Sequence, residues 1–486
     1  MKILLVYPPR EGEVCEFITA DFVNDDAYNY PPMGLLAIAA NVDPRHSLKV
    51  LDCCTQKLLI DDTVNFIVDE DPDILGISMV SRRLYPSNVL AGKIKKLLPN
   101  TTIIAGGPHI NDFPTETMAL GNYDYALAGY AEDTFPQLVE VLDDLNNSSH
   151  RLKDIPGLYF THNGKLHSNP SGDVPIILDD FPYPKRELIK LGDYFNATSR
   201  RSMTTIYTSR GCPYKCSFCD VQDKTYHYRS TKSIVDEYEY IMSLGIQEIH
   251  IFDDTFNMGR KRVIDMCNEI ISRGLKVNWS ARVRAHPFDQ EMLSIMKDAG
   301  CHQLQCGVES LLPEALKNMK KKVTLDHIKT FFSLANESKI KTLGYFILGF
   351  PEEDEKYRQR FYDEMMQLNP SYIYLSILYP LAKTPLYEGL LKKGTYKKDH
   401  WAEFFKEPVR DFDLPLFRAK KLQDELLAME HELYRKFYLS PRFIVADLMR
   451  NASAKMLAKK SLLALKLMFS KSSRTSAPNK LPAPSV

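Results

Sequence analysis

Short apolar runs alternate with amphipathic stretches along most of the chain. Lys2–Tyr7 (KILLVY) reads as a buried strand closed by Pro8-Pro9. Pro32–Asn41 (PMGLLAIAAN) predicts a helix opening on proline, Leu48–Asp52 a second strand, Asp61–Asp69 a helix and Ile74–Val80 a third strand. Val89–Leu98, Thr115–Leu120 and Thr134–Leu145 predict further helices, and Thr102–Ala105 and Tyr125–Ala128 further strands. Strands that are apolar throughout, each followed by a helix, argue a parallel sheet covered on both faces. Residues 1–145 are therefore expected to form a doubly wound, Rossmann-like α/β domain. Ligands of such sheets sit beyond the carboxyl ends of the strands. Here those loops are Tyr7–Arg10, Ser78–Arg82, Gly106–His109 and Gly129–Glu132. Gly106-Gly107 either admits a ligand close to the backbone or merely turns the chain.

Residues 146–200 are polar and turn-rich, a linker with a small hairpin, Gly157–Thr161, turning at Asn163-Gly164. Strand–helix alternation then resumes. Thr204–Ser209, Glu248–Phe252, Val277–Ala281, Gln303–Val308, Thr342–Leu348 and Tyr372–Leu378 are predicted strands. Helices are expected near Ile234–Leu244, Arg260–Ser272, Gln290–Ala299, Thr324–Ser338 and Asp354–Leu368. Six units of about thirty residues suggest a partial (β/α)6 barrel over 201–380, with its chemistry at the strand carboxyl ends. Residues 381–470 read as a helical region. Within it, Leu422–Tyr438 is amphipathic and expected on the barrel mouth. Residues 471–486 are Ser/Pro-rich and expected to be disordered.

Charge changes the picture only at the end. Lys+Arg and Asp+Glu are 62 each, so a general nucleic-acid binder is not expected. Residues 441–486 nevertheless hold nine Lys/Arg and one Asp. Ala446–Phe469 interleaves lysines with a leucine-rich face, which suits either an anionic membrane surface or docking on the protein itself. No uncharged apolar run reaches the length of a span, and the opening apolar stretch is too short for a signal peptide. Nine cysteines, an odd number with three crowded together, do not resemble a secreted disulfide framework, so a reducing cytoplasm is the expected compartment.

Those three are Cys212, Cys216 and Cys219, spaced C-x3-C-x2-C in one loop after a strand. Three thiolates can serve an iron–sulfur cluster and leave one iron open to a ligand. Structural zinc or unliganded thiols are the alternatives. Zinc wants a fourth ligand, and the remaining cysteines offer no second knuckle. At the following strand ends stand Asp253-Asp254, Arg282, Glu309-Ser310 and Gly349-Phe350-Pro351-Glu352-Glu353. Carboxylates can receive an ammonium group or ribose hydroxyls, and arginine a carboxylate. For any one of them a helix cap or a solvated loop charge is an equal reading.

C-x3-C-x-Phe-C closely resembles the signature of the radical S-adenosylmethionine (SAM) enzymes. The resemblance implies a [4Fe–4S] cluster on Cys212, Cys216 and Cys219, with SAM chelated at the fourth iron and cleaved on one-electron reduction to a 5′-deoxyadenosyl radical. It places Phe218 beside the adenine, Asp253 and Asp254 at the amino group, Glu309 near the ribose and Gly349 near the adenine, with Arg282 as the candidate for the methionine carboxylate. Tyr345 departs from the usual first glycine of the adenine motif. Upstream, the order LLVYPP, PPMGLLAIAA, PDILGIS, AGGPH, YALAGYAEDTF resembles the cobalamin-binding domain that precedes some radical SAM cores. That implies contacts to cobalamin from Ser78, Gly106 and Gly107. The Asp-x-His-x-x-Gly motif that supplies an axial histidine is missing, and Tyr130-Ala131 breaks the usual acidic Gly-Glu-Gly-Glu pattern. DDTF, CGVES, YPLAKTPLY and LYRKFYLSPRFI resemble the branch of the anaerobic Mg-protoporphyrin cyclase. The expected function is methylation of an unactivated carbon. Ring closure or oxidation is the alternative within the family, and a non-catalytic cobalamin- or metal-sensing module the alternative outside it. A flavodoxin-type electron donor and a lipid-like or tetrapyrrole substrate are implied partners.

Overall fold

The computed structural model describes residues 1–14, 28–144, 149–171, 177–196, 202–221, 223–410 and 412–450. Its first half holds β1 (Lys2–Tyr7), β2 (Tyr28–Asn29), β3 (Ser47–Asp52), β4 (Ile74–Ser78), β5 (Thr102–Gly106), β6 (Tyr125–Leu127), β7 (Leu158–His162) and β8 (Lys165–Ser168). Seven of these form one sheet in the order β3-β1-β4-β5-β6-β7-β8. The first five are parallel. Their order is that of a doubly wound fold with its switch point between β1 and β4, where the sheet opens a crevice. Ile3 and Leu5 point to one face and Leu4 and Val6 to the other, and each face has its own helix-covered core. This two-sided burial is why the strand sequences show no polar alternation. The hairpin β7–β8 turns at Asn163-Gly164 and pairs antiparallel with β6, so the sheet continues past residue 145.

The second half holds β9 (Phe195–Asn196), β10 (Met203–Ile206), β11 (Ser209–Arg210), β12 (His227–Tyr228), β13 (Glu248–Ile251), β14 (Asn278–Val283), β15 (Cys301–Glu309), β16 (Lys341–Leu348) and β17 (Tyr372–Ile377). Six strands run in sequence order, β10-β13-β14-β15-β16-β17, all parallel, with helices between them. Outward residues such as Ile249, Ile251, Trp279, Leu304 and Phe346 pack under the helices as one core. The alternate residues are different in kind: His250, Ser280, Arg282, Gln303, Gln305 and Tyr345 line the inner face.

An open barrel leaves two unpaired edges, which proteins must cover. At β10 the cover is ionic. Arg186 donates to the Thr205 carbonyl at 2.8 Å and to Glu237 at 2.6 Å. Arg229 donates to the Tyr207 carbonyl at 3.2 Å and pairs with the other oxygen of Glu237. At β17 the cover is phenolic. The Tyr434 hydroxyl accepts the Leu375 N–H at 2.7 Å and donates to the Leu375 carbonyl at 3.1 Å. Tyr438, one helical turn on, does the same for Ile373. Both tyrosines lie on the helix Lys420–Tyr438. That helix was expected on the barrel mouth. It reaches the mouth early, where Leu426 stands beside Gly349, and its later turns run along the β17 edge, whose backbone groups its tyrosines satisfy.

The helices Pro385–Lys392 and His400–Lys406 belong to neither edge. Tyr387, Trp401, Phe404 and Phe405 join a core of the first sheet. Among the described residues no helix is long and apolar enough to cross a membrane. Of the basic helix expected over Ala446–Phe469, residues 446–450 fall in the helix Pro441–Arg450, and the remainder and the 471–486 tail lie outside the described residues.

Candidate active site

The cysteine loop leaves β11 through Gly211. That glycine has φ +79°, and a Cβ there would collide with the Thr225 carbonyl, so no other residue fits. The Cys212 N–H is held by the Asp223 carbonyl at 3.0 Å. Ser217 is gripped on both sides: its N–H donates to the Met319 carbonyl at 2.9 Å and its carbonyl accepts the Leu386 N–H at 2.8 Å. Tyr214 lies under the Arg284 guanidinium at 3.6 Å, and Arg284 also donates to the Lys321 carbonyl. Cys212 and Cys216 are buried and Cys219 is half-buried. Burial pushes the Cys219 thiol up to about 12, so the metal-free thiol is neutral and metal binding must expel its proton. Among the described residues no three His, Cys, Asp or Glu side chains converge on one ion. A cubane takes one thiolate per iron and needs no such convergence.

Asp253 is not free to meet a ligand. Its carboxylate accepts the Thr208 N–H (2.7 Å) and hydroxyl (2.5 Å) and the Ser209 N–H (3.1 Å) and hydroxyl (2.7 Å). Arg262 approaches at 3.3 Å. With its lone pairs taken, Asp253 fixes the turn just before Gly211. Asp254 accepts the Gly211 N–H at 3.1 Å, and desolvation of its carboxyl and the neighbouring Asp253 push its pKa up. Arg282 lies on the face of Phe252 at 3.6 Å, on the inner wall of the barrel, and its Nε is buried without a hydrogen-bond partner. Glu309 ends β15 at φ +65°, a costly backbone for a non-glycine residue, and pairs through Oε1 with Lys321 at 2.6 Å.

Gly349 ends β16 at φ +92°. The space where its Cβ would stand is taken by the Arg418 guanidinium. Arg418 donates to the Gly349 carbonyl at 3.0 Å and to the Leu378 carbonyl at 2.8 Å, tying together the ends of β16 and β17. Glu353 accepts the Gly349 N–H at 2.7 Å, and burial raises its carboxyl to about 7. Phe218 meets Phe350 edge to face at 6.2 Å. Phe218 and Gly349 therefore share one corner of the mouth, with Arg418 as a neighbour that came from outside every motif.

The carboxyl end of the first sheet is built of backbone. Gly107 has φ +94°, and a Cβ there would press on the Met79 N and O at 2.8 Å and on Ser78 Oγ at 3.0 Å. Gly106 and Gly129 have open space where a Cβ would be. This is a surface that a large ligand can approach closely. Nearby, His109 is buried, with Nδ1 3.0 Å from Ser81 Oγ and its ring between Phe113 and Phe405. The two ligand ends meet through Arg210, which pairs with Glu132, and through Tyr30, whose ring stacks on His250 at 5.6 Å and meets Phe252 at 5.1 Å.

The Radical SAM superfamily pattern matches residues 206–365 and the B12 binding domain pattern residues 21–139. The chain belongs to the cobalamin-binding radical SAM enzymes. This enzyme is 29% identical to an uncharacterized methyltransferase of Pyrococcus horikoshii, over 92% of its own chain and 95% of the relative. It is 25% identical to the anaerobic magnesium-protoporphyrin IX monomethyl ester cyclase of Cereibacter sphaeroides, over 76% of its chain and 60% of the cyclase. Its fold is similar to that of the radical SAM methyltransferase TsrM from Kitasatospora setae, solved with cobalamin and a [4Fe–4S] cluster, with a TM-score of 0.63 and 18% identity over 81% of this chain and 75% of that one. The two domains set the cofactors of the radical SAM enzyme: a [4Fe–4S] cluster, SAM and cobalamin. The donor sets fit them, three thiols on one clamped loop in the barrel and an open glycine surface on the first sheet.

Proposed function

We propose that this enzyme methylates an unactivated carbon. The observation that carries the reading is similarity to a methyltransferase along almost the whole of both chains, with the cysteine loop and the glycine surface on facing ends of two sheets. Similarity to the cyclase is lower and covers less of it, so ring closure is the weaker reading. When bound, SAM on the cluster supplies a hydrogen-abstracting radical and cobalamin supplies the methyl group.

The chain's own residues bind and orient. Cys212, Cys216 and Cys219 hold the cluster. Asp254 receives the SAM amino group and Arg282 its carboxylate, while Glu309 stands by the ribose and Phe218 with Gly349 by the adenine. Asp253 acts through Thr208 and Ser209 and touches no cofactor. Ser78, Gly106 and Gly107 face cobalamin. A lipid-like or tetrapyrrole acceptor, a flavodoxin-type donor and contact of residues 446–469 with an anionic membrane are further parts of the proposal. Vesicle co-sedimentation of the full chain against a 1–440 truncation tests the last of these.

The functional test is product analysis on anaerobically reconstituted protein. SAM with a one-electron reductant should yield 5′-deoxyadenosine and methionine, and S-adenosylhomocysteine only when cobalamin is present. Absence of 5′-deoxyadenosine from iron-replete protein sinks the radical half, and S-adenosylhomocysteine without cobalamin sinks the other.

A further inference from the structure

The first domain is hydrogen-bonded directly to the loop that carries the cysteines. Tyr130, in the turn after β6, donates its hydroxyl to Asp223 Oδ2 at 2.7 Å. Asp223 is built into the cysteine loop. Its Oδ1 accepts the Thr225 N–H at 2.8 Å, and its backbone carbonyl accepts the Cys212 N–H at 3.0 Å. A Cβ on Gly211 would stand 3.2 Å from Asp223 Cγ. From the same turn Glu132 pairs with Arg210, whose guanidinium lies over the Tyr130 ring at 5.0 Å. Two residues of the first domain thus grip Arg210 and Asp223, which bracket the amide of Cys212. Burial and the Asp223 carboxylate push the Tyr130 phenol up, so it keeps the proton that it donates. An acidic side chain at this position, the usual one in the pattern that Tyr130 breaks, would be ionised and could donate nothing to Asp223.

The other end of the turn is held through backbone, the Gly129 N–H donating to Asn111 Oδ1 at 2.8 Å, and leaves room for a ligand. Gly129 has φ +91° and nothing near the position of a Cβ. A ligand laid on this surface restrains the turn, and the restraint is passed on through the Tyr130 hydroxyl.

We propose that Tyr130 is a positioning residue that couples occupancy of the cobalamin surface to the order of the Cys212 loop. The coupling rests on the reading that residues 129–132 face cobalamin. It must be reciprocal: whatever cobalamin does for the cysteine loop, an assembled cluster does for cobalamin affinity.

The experiment is amide hydrogen exchange by mass spectrometry on the full chain, with and without hydroxocobalamin, following peptides that span Gly211–Thr225. One hydrogen bond of ordinary net worth should slow their exchange about five-fold on loading. In Tyr130→Phe the slowing should fall below about two-fold although hydroxocobalamin is still taken up, as its visible absorption reports. Tyr125→Phe, on β6 but outside the link, should behave as wild type. In parallel, cluster assembly should tighten hydroxocobalamin binding about five-fold in wild type and not in Tyr130→Phe. Wild-type protein that binds hydroxocobalamin with no change across Gly211–Thr225, or a Tyr130→Phe variant that keeps both responses, overturns the coupling alone. Wild-type protein that binds no hydroxocobalamin overturns the functional reading and the coupling with it.

Discussion

The two sheets present their ligand ends in opposite chemical styles. The first offers backbone: Gly106, Gly107 and Gly129, open or left-handed, with His109 turned away into an aromatic core. The second offers charge: Asp254, Arg282, Glu309 and Lys321, Arg284 over Tyr214, and Arg418 with Glu353 at the β16 corner. A surface of peptide groups suits a large ligand read by shape. A ring of charges suits a small zwitterion read group by group. The contrast extends to how each half is held together. The first sheet closes its last parallel strand with a hairpin, whereas the barrel closes an edge with two guanidinium groups on one buried carboxylate.

If each half builds its own site, damage to one should leave the other able to bind its ligand, changed by no more than the about five-fold coupling through Tyr130. The largest effect is expected at the cysteine loop. Cys212→Ala should remove the cluster absorbance and all SAM cleavage while hydroxocobalamin binding persists. Iron analysis beside a cobalamin titration checks this, and loss of both ligands together would break the comparison. Next is the ionic edge. Glu237→Gln strands two buried guanidinium groups, and about 3–5 kcal/mol of stability should be lost in denaturant unfolding. A change under about 1 kcal/mol would show that the edge does not depend on charge.

A smaller loss is expected from the first sheet. Gly107→Ala forces a side chain into a left-handed backbone against Met79, at a cost of about 1–3 kcal/mol. It should weaken hydroxocobalamin binding and leave iron content unchanged. The smallest effect is at Glu353. Its carboxyl titrates near 7 when folded against 4.5 ordinarily. Between those values the folded state holds more protons than the unfolded one, so this residue's contribution to stability falls as pH rises. Glu353→Gln should lose about 2 kcal/mol less than wild type on going from pH 5 to pH 8. Parallel pH profiles for the two proteins would remove Glu353 from the account.

The sequence pattern made both sheets legible because burial on two faces, or under a helix layer, writes itself as local apolar runs. The cysteine loop was legible from spacing alone. What spacing does not reveal is which partner fills a polar group's lone pairs. Asp253 stands where a cofactor ligand is expected, yet Thr208 and Ser209 reach it through the β10–β13 pairing and use it up. Gly349 is expected near the adenine, and nothing in its spacing shows that Arg418, 69 residues away, fills the place of its Cβ. Arg186, Glu237 and Arg229 sit in unremarkable polar surroundings in the chain and become an edge only when β10 lies beside them. Tyr130 could be marked as a departure from a pattern, but Asp223, 93 residues on, gives the departure its meaning.

The central claim, one cofactor site on each sheet, is tested most directly by electron paramagnetic resonance of the full chain, reconstituted anaerobically with iron, sulfide and hydroxocobalamin and then reduced. The account predicts a [4Fe–4S] signal that changes when SAM is added, together with a Co(II) signal that lacks nitrogen superhyperfine splitting, since His109 is committed to Ser81 and the aromatic core. Protein that takes up zinc in place of iron, shows no cobalt signal, or shows splitting from a protein histidine would contradict it.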